Sequence, residues 1–156
     1  SLAGQRGFSD IPQFEGSSCT SKERYDYMFE KRLLDEHYRT YGGSYGWVLA
    51  GLRASRKLMG KENLAKIKTP VLLFAAGHDH MVDNDAIERF AELTNRTELF
   101  FMPDSRHEIF NADERTRTKY YDEIFRFIKE EEVKDYENKK GNCSKLASPL
   151  HKKKLE

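Results

Sequence analysis

The segment between Thr69 and Val133 constrains the chain most. It opens with "VLLFAAG" (residues 71–77), a continuous apolar run that does not alternate and is ended by glycine. A run of that length suits a strand covered on both faces, as in a parallel sheet. "DNDAIERFAELT" follows, with Ile87, Phe90 and Leu93 at helical spacing, and "TELFFMP" then reads as a second strand closed by Pro103. Asn111 and Glu114 give a capping signal before "RTKYYDEIFRFIKEEEV", where Tyr121, Ile124, Phe125 and Ile128 form an apolar stripe. Strand, helix, strand, helix is the doubly wound α/β pattern.

The residues before this segment read differently. Residues 1–18 are rich in Gly, Ser and Gln without a sustained period, so they predict an irregular lead-in. Thr20 and Glu23 match a capping box, and Tyr25, Met28, Phe29 and Leu33 follow on one face, which predicts a helix from about Ser21 to Tyr38. "TYGGSYG" breaks it, and "WVLAGLRASRKL" begins a second, more apolar helix ending near Leu58. After Val133 the chain turns polar and Lys-rich, ending "HKKKLE", which predicts a flexible tail. The expected division is therefore a lead-in and helical segment over 1–60, an α/β core over 61–133, and a tail over 134–156.

Composition excludes several classes. Lys plus Arg (27) nearly balance Asp plus Glu (26), so no global field favours nucleic acid. No apolar run approaches the roughly 18 residues of a membrane span, and no signal peptide is visible, which predicts a cytoplasmic protein. Cys19 and Cys143 lie far apart without metal-ligand spacing and are expected to be free thiols. The Ser1 start and the "LE" ending, which resembles a cloning scar, suggest that a longer polypeptide was cut or engineered.

Open α/β sheets place reactive groups beyond the carboxyl ends of their strands. Asp79 follows the first strand and its Gly77, and His107 stands four residues past Pro103. A histidine acting as general base needs a carboxylate to hold its tautomer, and neighbouring strand ends can bring the two within hydrogen-bond reach. Singly, Asp79 could be a turn former and His107 a loop histidine bound to backbone; together, after consecutive strands, they predict a His–Asp pair. His78 and His80 flank Asp79 but lack a third spaced ligand, so no metal is expected. Asp83 and Asp104 fit helix entry and turn chemistry better.

"GGSYG" (residues 42–46) spells G-x-S-x-G, and Ser44, Asp79 and His107 run in the order of an α/β-hydrolase triad. A nucleophile elbow, however, needs a buried strand entering the serine. Upstream of Ser44 stands the charged, helical "LLDEHYRTY". Ser9, in "GFSD", lacks both flanking elements too. Neither serine is expected to be the nucleophile.

"TSKERYDYM", "YGGSYGWVLAGLRAS" and "TPVLLFAAGHDHMVDNDAIERFAELTNRTELFFMPDSRHEIFNADE" together resemble the carboxyl-terminal half of bacterial lysophospholipases of the monoglyceride-lipase-like branch of the α/β-hydrolases. The likeness runs from about Ser17 to Val133. It implies triad roles for Asp79 and His107, and makes the first third the end of a helical cap over the site. In the family's cap a Gly-Gly-Pro turn precedes a Trp, and Ser44 stands where that proline would be. The tyrosines, Phe29 and Trp47 of this third suit either an acyl slot or a helical core. The implied activity is hydrolysis of a lipid carboxylic ester by Ser-His-Asp chemistry, without cofactor or metal and with the serine absent from this chain. An inactive fragment or a lipid- or partner-binding module is the alternative. Expected partners are a lipid ester substrate, a missing amino-terminal half or a second copy, and peripheral contact with the inner membrane.

Overall fold

The computed structural model describes residues 7–146. Within them helix α1 spans Lys22–Leu34, α2 Tyr45–Leu58, α3 Lys61–Leu64, α4 Asn84–Glu92 and α5 Glu114–Leu146, with strands β1 at Val71–Ala76 and β2 at Thr97–Met102. Short 3₁₀ turns lie at Glu36–Tyr38 and Ile109–Asn111. The chain forms two compact units that meet in sequence between Tyr120 and Tyr121, so α5 begins in the first and makes up the described part of the second.

The first unit is built on β1 and β2, paired in parallel from Val71 with Thr97 to Ala76 with Met102. Both strands form where the apolar runs predicted them, and α4 packs on both. Ala76, Met102 and Ile109 are buried together, with Phe74, Phe100 and Tyr120 packed against them. The rings of Phe74 and Tyr120 lie 4.6 Å apart, which ties the start of α5 to the sheet. The core therefore gathers at the carboxyl ends of the strands, where the two strand-end turns meet.

Local capping differs from expectation in instructive ways. The cap of α1 is Ser21, whose hydroxyl accepts from the Arg24 N–H at 3.4 Å, not Thr20. Thr20 Oγ1 is instead buried without a partner. The one-residue shift follows from tertiary contact: Ser21 N–H and the Cys19 thiol both donate to the Asn111 carbonyl, which sets where the helix can begin. The same helix ends at Leu34 rather than Tyr38. Asp35 takes an extended conformation and accepts from the His37 N–H, while Arg39 donates to the carbonyls of Arg32 and Leu33 and closes the helix end. Before α5 it is Asp113, not Asn111, whose carboxylate accepts from the Thr116 N–H at 3.1 Å and hydroxyl at 2.8 Å. The side chain of Asn111 donates to Glu108.

The lead-in, which has no readable period, is ordered over residues 8–19 by aromatic and polar anchors. Phe14 meets Tyr25 edge-on at 5.5 Å, Tyr25 stacks on Phe29 at 5.9 Å, and Phe8 stacks on the other end of the series at 6.2 Å. Tyr25 and Phe29 of α1 are thus packed, whereas in α2 Trp47 is 72% exposed and Leu52 64%.

The described part of the second unit is a single helix. It continues through residues 134–146, where composition alone predicts a flexible tail. Arg126 bonds Glu123 and Glu130, Lys134 bonds Glu131 and Lys139 bonds Asp135, all at three- or four-residue spacing. Such pairs contribute about 0.2–0.5 kcal/mol each, and in series they sustain a helix that has few apolar positions. The "HKKKLE" end lies outside the described residues, as does the side chain of Cys143.

Candidate active site

Two turns make the site. The first leaves β1 through Gly77 and carries His78, Asp79 and His80; the second leaves β2 through Pro103 and carries Ser105, Arg106 and His107. They are tied by backbone hydrogen bonds from Gly77 N–H to the Met102 carbonyl and from His78 N–H to the Ser105 carbonyl, both 2.9 Å. Gly77 makes this approach feasible: a Cβ at that position would stand 2.8 Å from the Pro103 carbonyl carbon and nearer still to its oxygen. Ser105 is fully buried in the joint.

The joint brings His107 Nδ1 to 2.8 Å from Asp79 Oδ2. Asp79 Oδ1 accepts from the N–H groups of Met81 at 2.8 Å and Val82 at 3.0 Å. Three donors thus converge on one carboxylate whose side chain is only 4% exposed. Burial works against its charge, but the His107 hydrogen bond and the two backbone N–H groups outweigh it and hold the Asp79 pKa below the ordinary carboxylate value. An ionised carboxylate can only accept, so the ring proton sits on Nδ1. His107 Nε2 is left with its lone pair, has no partner among the described residues, and belongs to a side chain 39% exposed. The arrangement can accept a proton at Nε2 and stabilise the resulting imidazolium through Asp79.

The rival carboxylates lie elsewhere in role. Asp83 caps α4 by accepting from the Asp85 N–H at 3.0 Å, and Asp104 sits exposed in the turn after β2. His78 and His80 are exposed. Asn84, the first residue of α4, donates to the Ala76 carbonyl at 2.8 Å and satisfies the end of β1 beneath the site.

Ser44 is a helix cap. Its hydroxyl accepts from the Trp47 N–H at 3.2 Å, its backbone is extended, and the residues before it are irregular. Among the described residues Ser9 bonds only its own turn, through the Ile11 N–H and carbonyl. Neither hydroxyl is joined to His107. Cys19 is buried with its thiol donating to the Asn111 and Ser21 carbonyls, and burial pushes its pKa up, so it is a packing thiol rather than a nucleophile.

Sequence reasoning missed two positions that build this site. Gly77 was legible as a strand end, while its closeness to Pro103 depends on how the turns meet. Arg106 carried no signal beyond its place beside His107; its guanidinium Nη1 donates to the carbonyls of Phe14, Ser17 and Cys19.

Comparison with known proteins adds one match. The family model described as serine aminopeptidase, S33, an α/β-hydrolase family, matches residues 13–114, well over half of the chain and inclusive of both Asp79 and His107. No curated protein and no solved structure matches the chain.

Proposed function

The chain belongs to the serine aminopeptidase S33 family of α/β-hydrolases, and from that premise we propose that it carries the acid–base half of a serine hydrolase acting on lipid carboxylic esters. The observation that supports this reading is the 2.8 Å bond from His107 Nδ1 to the buried, otherwise saturated Asp79. In this reaction a serine hydroxyl attacks the ester carbonyl while His107 Nε2 takes its proton. Asp79 keeps the ring oriented and offsets the charge of the imidazolium. Collapse of the tetrahedral intermediate expels the alcohol, which takes the proton back from His107, and water repeats the cycle on the acyl-enzyme.

The serine comes from outside these 156 residues in this proposal. The single G-x-S-x-G of the sequence caps α2 and follows no strand, whereas an elbow requires a strand entering it. The exposed apolar side chains of α2 and a sheet of two parallel strands among the described residues suit further strands and a covering surface supplied by the same source. A lysophospholipid or monoacylglycerol is the substrate class proposed.

The test has two arms. The 156-residue chain, given p-nitrophenyl butyrate, lysophosphatidylcholine or monooleoylglycerol, is expected to show no turnover above background. In a longer polypeptide that supplies the serine, His107→Ala is expected to lower turnover by several orders of magnitude. Asp79→Asn there should cost on the order of 10⁴-fold, as the equivalent change does in a serine protease triad. Asp83→Asn and Asp104→Asn should cost little turnover. Turnover retained in Asp79→Asn but lost in either of the other two would reassign the acid.

A further inference from the structure

We propose that Arg106 is a positioning residue for His107, holding it through a strap formed by residues 14–19; the proposal rests on the reading of His107 as general base. The Arg106 Nη1 group lies 3.0 Å from the Phe14 carbonyl oxygen, 3.1 Å from that of Cys19 and 3.3 Å from that of Ser17. Its guanidinium also lies 5.5 Å from the Phe14 ring centre. The carboxylate nearest to it, Glu15, is 3.9 Å away and almost fully exposed, so it adds little. A cation surrounded by three backbone carbonyls and an aromatic face is a socket, and the side chain that fills it immediately precedes His107.

The residue on the other side is held by the same strap. Glu108 N–H donates to the Ser18 carbonyl at 2.9 Å, and the Ser18 hydroxyl reaches Met81 Sδ at 3.1 Å, in the turn that carries Asp79. With Arg106 and Glu108 both fastened to residues 14–19, the backbone of His107 has little freedom to translate, and its ring is left to orient against Asp79. Without the Arg106 anchor the loop can shift by a fraction of an ångström to an ångström, a displacement that in general costs catalysis about 10²-fold. A lysine replaces it only in part, because its ammonium ends one bond short of the Nη1 position that reaches the three carbonyls and offers no planar face to the Phe14 ring.

The experiment reads the ring itself. In the 156-residue chain, nitrogen chemical shifts of the His107 imidazole in mildly alkaline buffer report which ring nitrogen holds the proton, with Asp79→Asn as the reference for a lost partner. The wild type should carry it on Nδ1. Arg106→Gln should move both ring nitrogens toward the Asp79→Asn values, and Arg106→Lys should fall between. Arg96→Gln removes an arginine bond to the Lys68 carbonyl at the opposite ends of the strands. It should leave the His107 tautomer unchanged even if thermal stability falls. A folded Arg106→Gln protein with the wild-type tautomer overturns the proposal. If Arg106→Gln does not fold, Arg106→Lys decides it by the same criterion. Because turnover is not read, failure here would leave the ester-hydrolase reading intact, and failure of that reading would leave this coupling measurable.

Discussion

Gly77 and Pro103 touch backbone to backbone, and that contact sets the distance between Asp79 and His107. A Cβ on residue 77 would press on the Pro103 carbonyl, standing 2.8 Å from its carbon. The turns that follow the two strands therefore close on each other only because residue 77 has no side chain. Each turn carries one member of the pair, so the meeting of Asp79 and His107 depends on residue 77 having no Cβ.

Gly77→Ala should accordingly do more than destabilise. Overpacking against a fixed carbonyl costs about 1–3 kcal/mol, which denaturant unfolding would read. The neighbouring atoms are backbone, so the turns must part rather than a side chain rotate. The His107 Nδ1 proton should then lose its fixed acceptor, visible in the imidazole nitrogen shifts. An alanine variant as stable as the wild type and with the same shifts would mean that the two turns are not braced in this way.

Acid stability should carry the signature of Asp79. Burial disfavours its charge, but the bonds from His107, Met81 and Val82 depress its folded-state pKa below the ordinary 3.8. A depressed carboxylate pKa contributes stability that is complete above the unfolded value and is lost as pH falls from there through the folded value. Asp113 acts with the same sign, its pKa lowered by the Thr116 N–H and then by the Thr116 hydroxyl. Urea midpoints measured from neutral pH down through 3.8 should fall with a shallower slope in Asp79→Asn than in wild type. Asp113→Asn should remove a separate share. Parallel slopes in wild type and Asp79→Asn would show that the pair does not stabilise the folded carboxylate.

Ser44→Ala separates a cap from a nucleophile. Loss of an N-cap hydroxyl costs about 0.5–2 kcal/mol of helix stability, so the variant should lose some helical circular dichroism from α2. Ester turnover in a longer polypeptide that supplies the proposed serine should be unchanged. Turnover abolished by this substitution, with helix content retained, would restore Ser44 to the triad.

The sequence by itself determined the two strands, α4 and the edge of the sheet that carries Asp79 and His107. "VLLFAAG" and "TELFFMP" are strands because short unbroken apolar runs bury both faces, and Ile87, Phe90 and Leu93 make α4 a helix by spacing alone. Those signals are local, and residues following consecutive parallel strands share one edge, so Asp79 and His107 were legible as a pair. The elbow argument was equally local: a charged helical stretch before Ser44 could not be the strand that a nucleophile needs. Tertiary structure decided the rest. Which residue caps α1 depended on the Asn111 carbonyl, where both Cys19 and Ser21 donate, and not on the Thr20–Glu23 pattern. The course of residues 14–19 depended on one guanidinium nearly ninety positions away. Hydrogen bonds between segments distant in sequence leave no period and no composition behind, so the socket around Arg106 and the closeness of Gly77 to Pro103 emerged only when the turns were brought together.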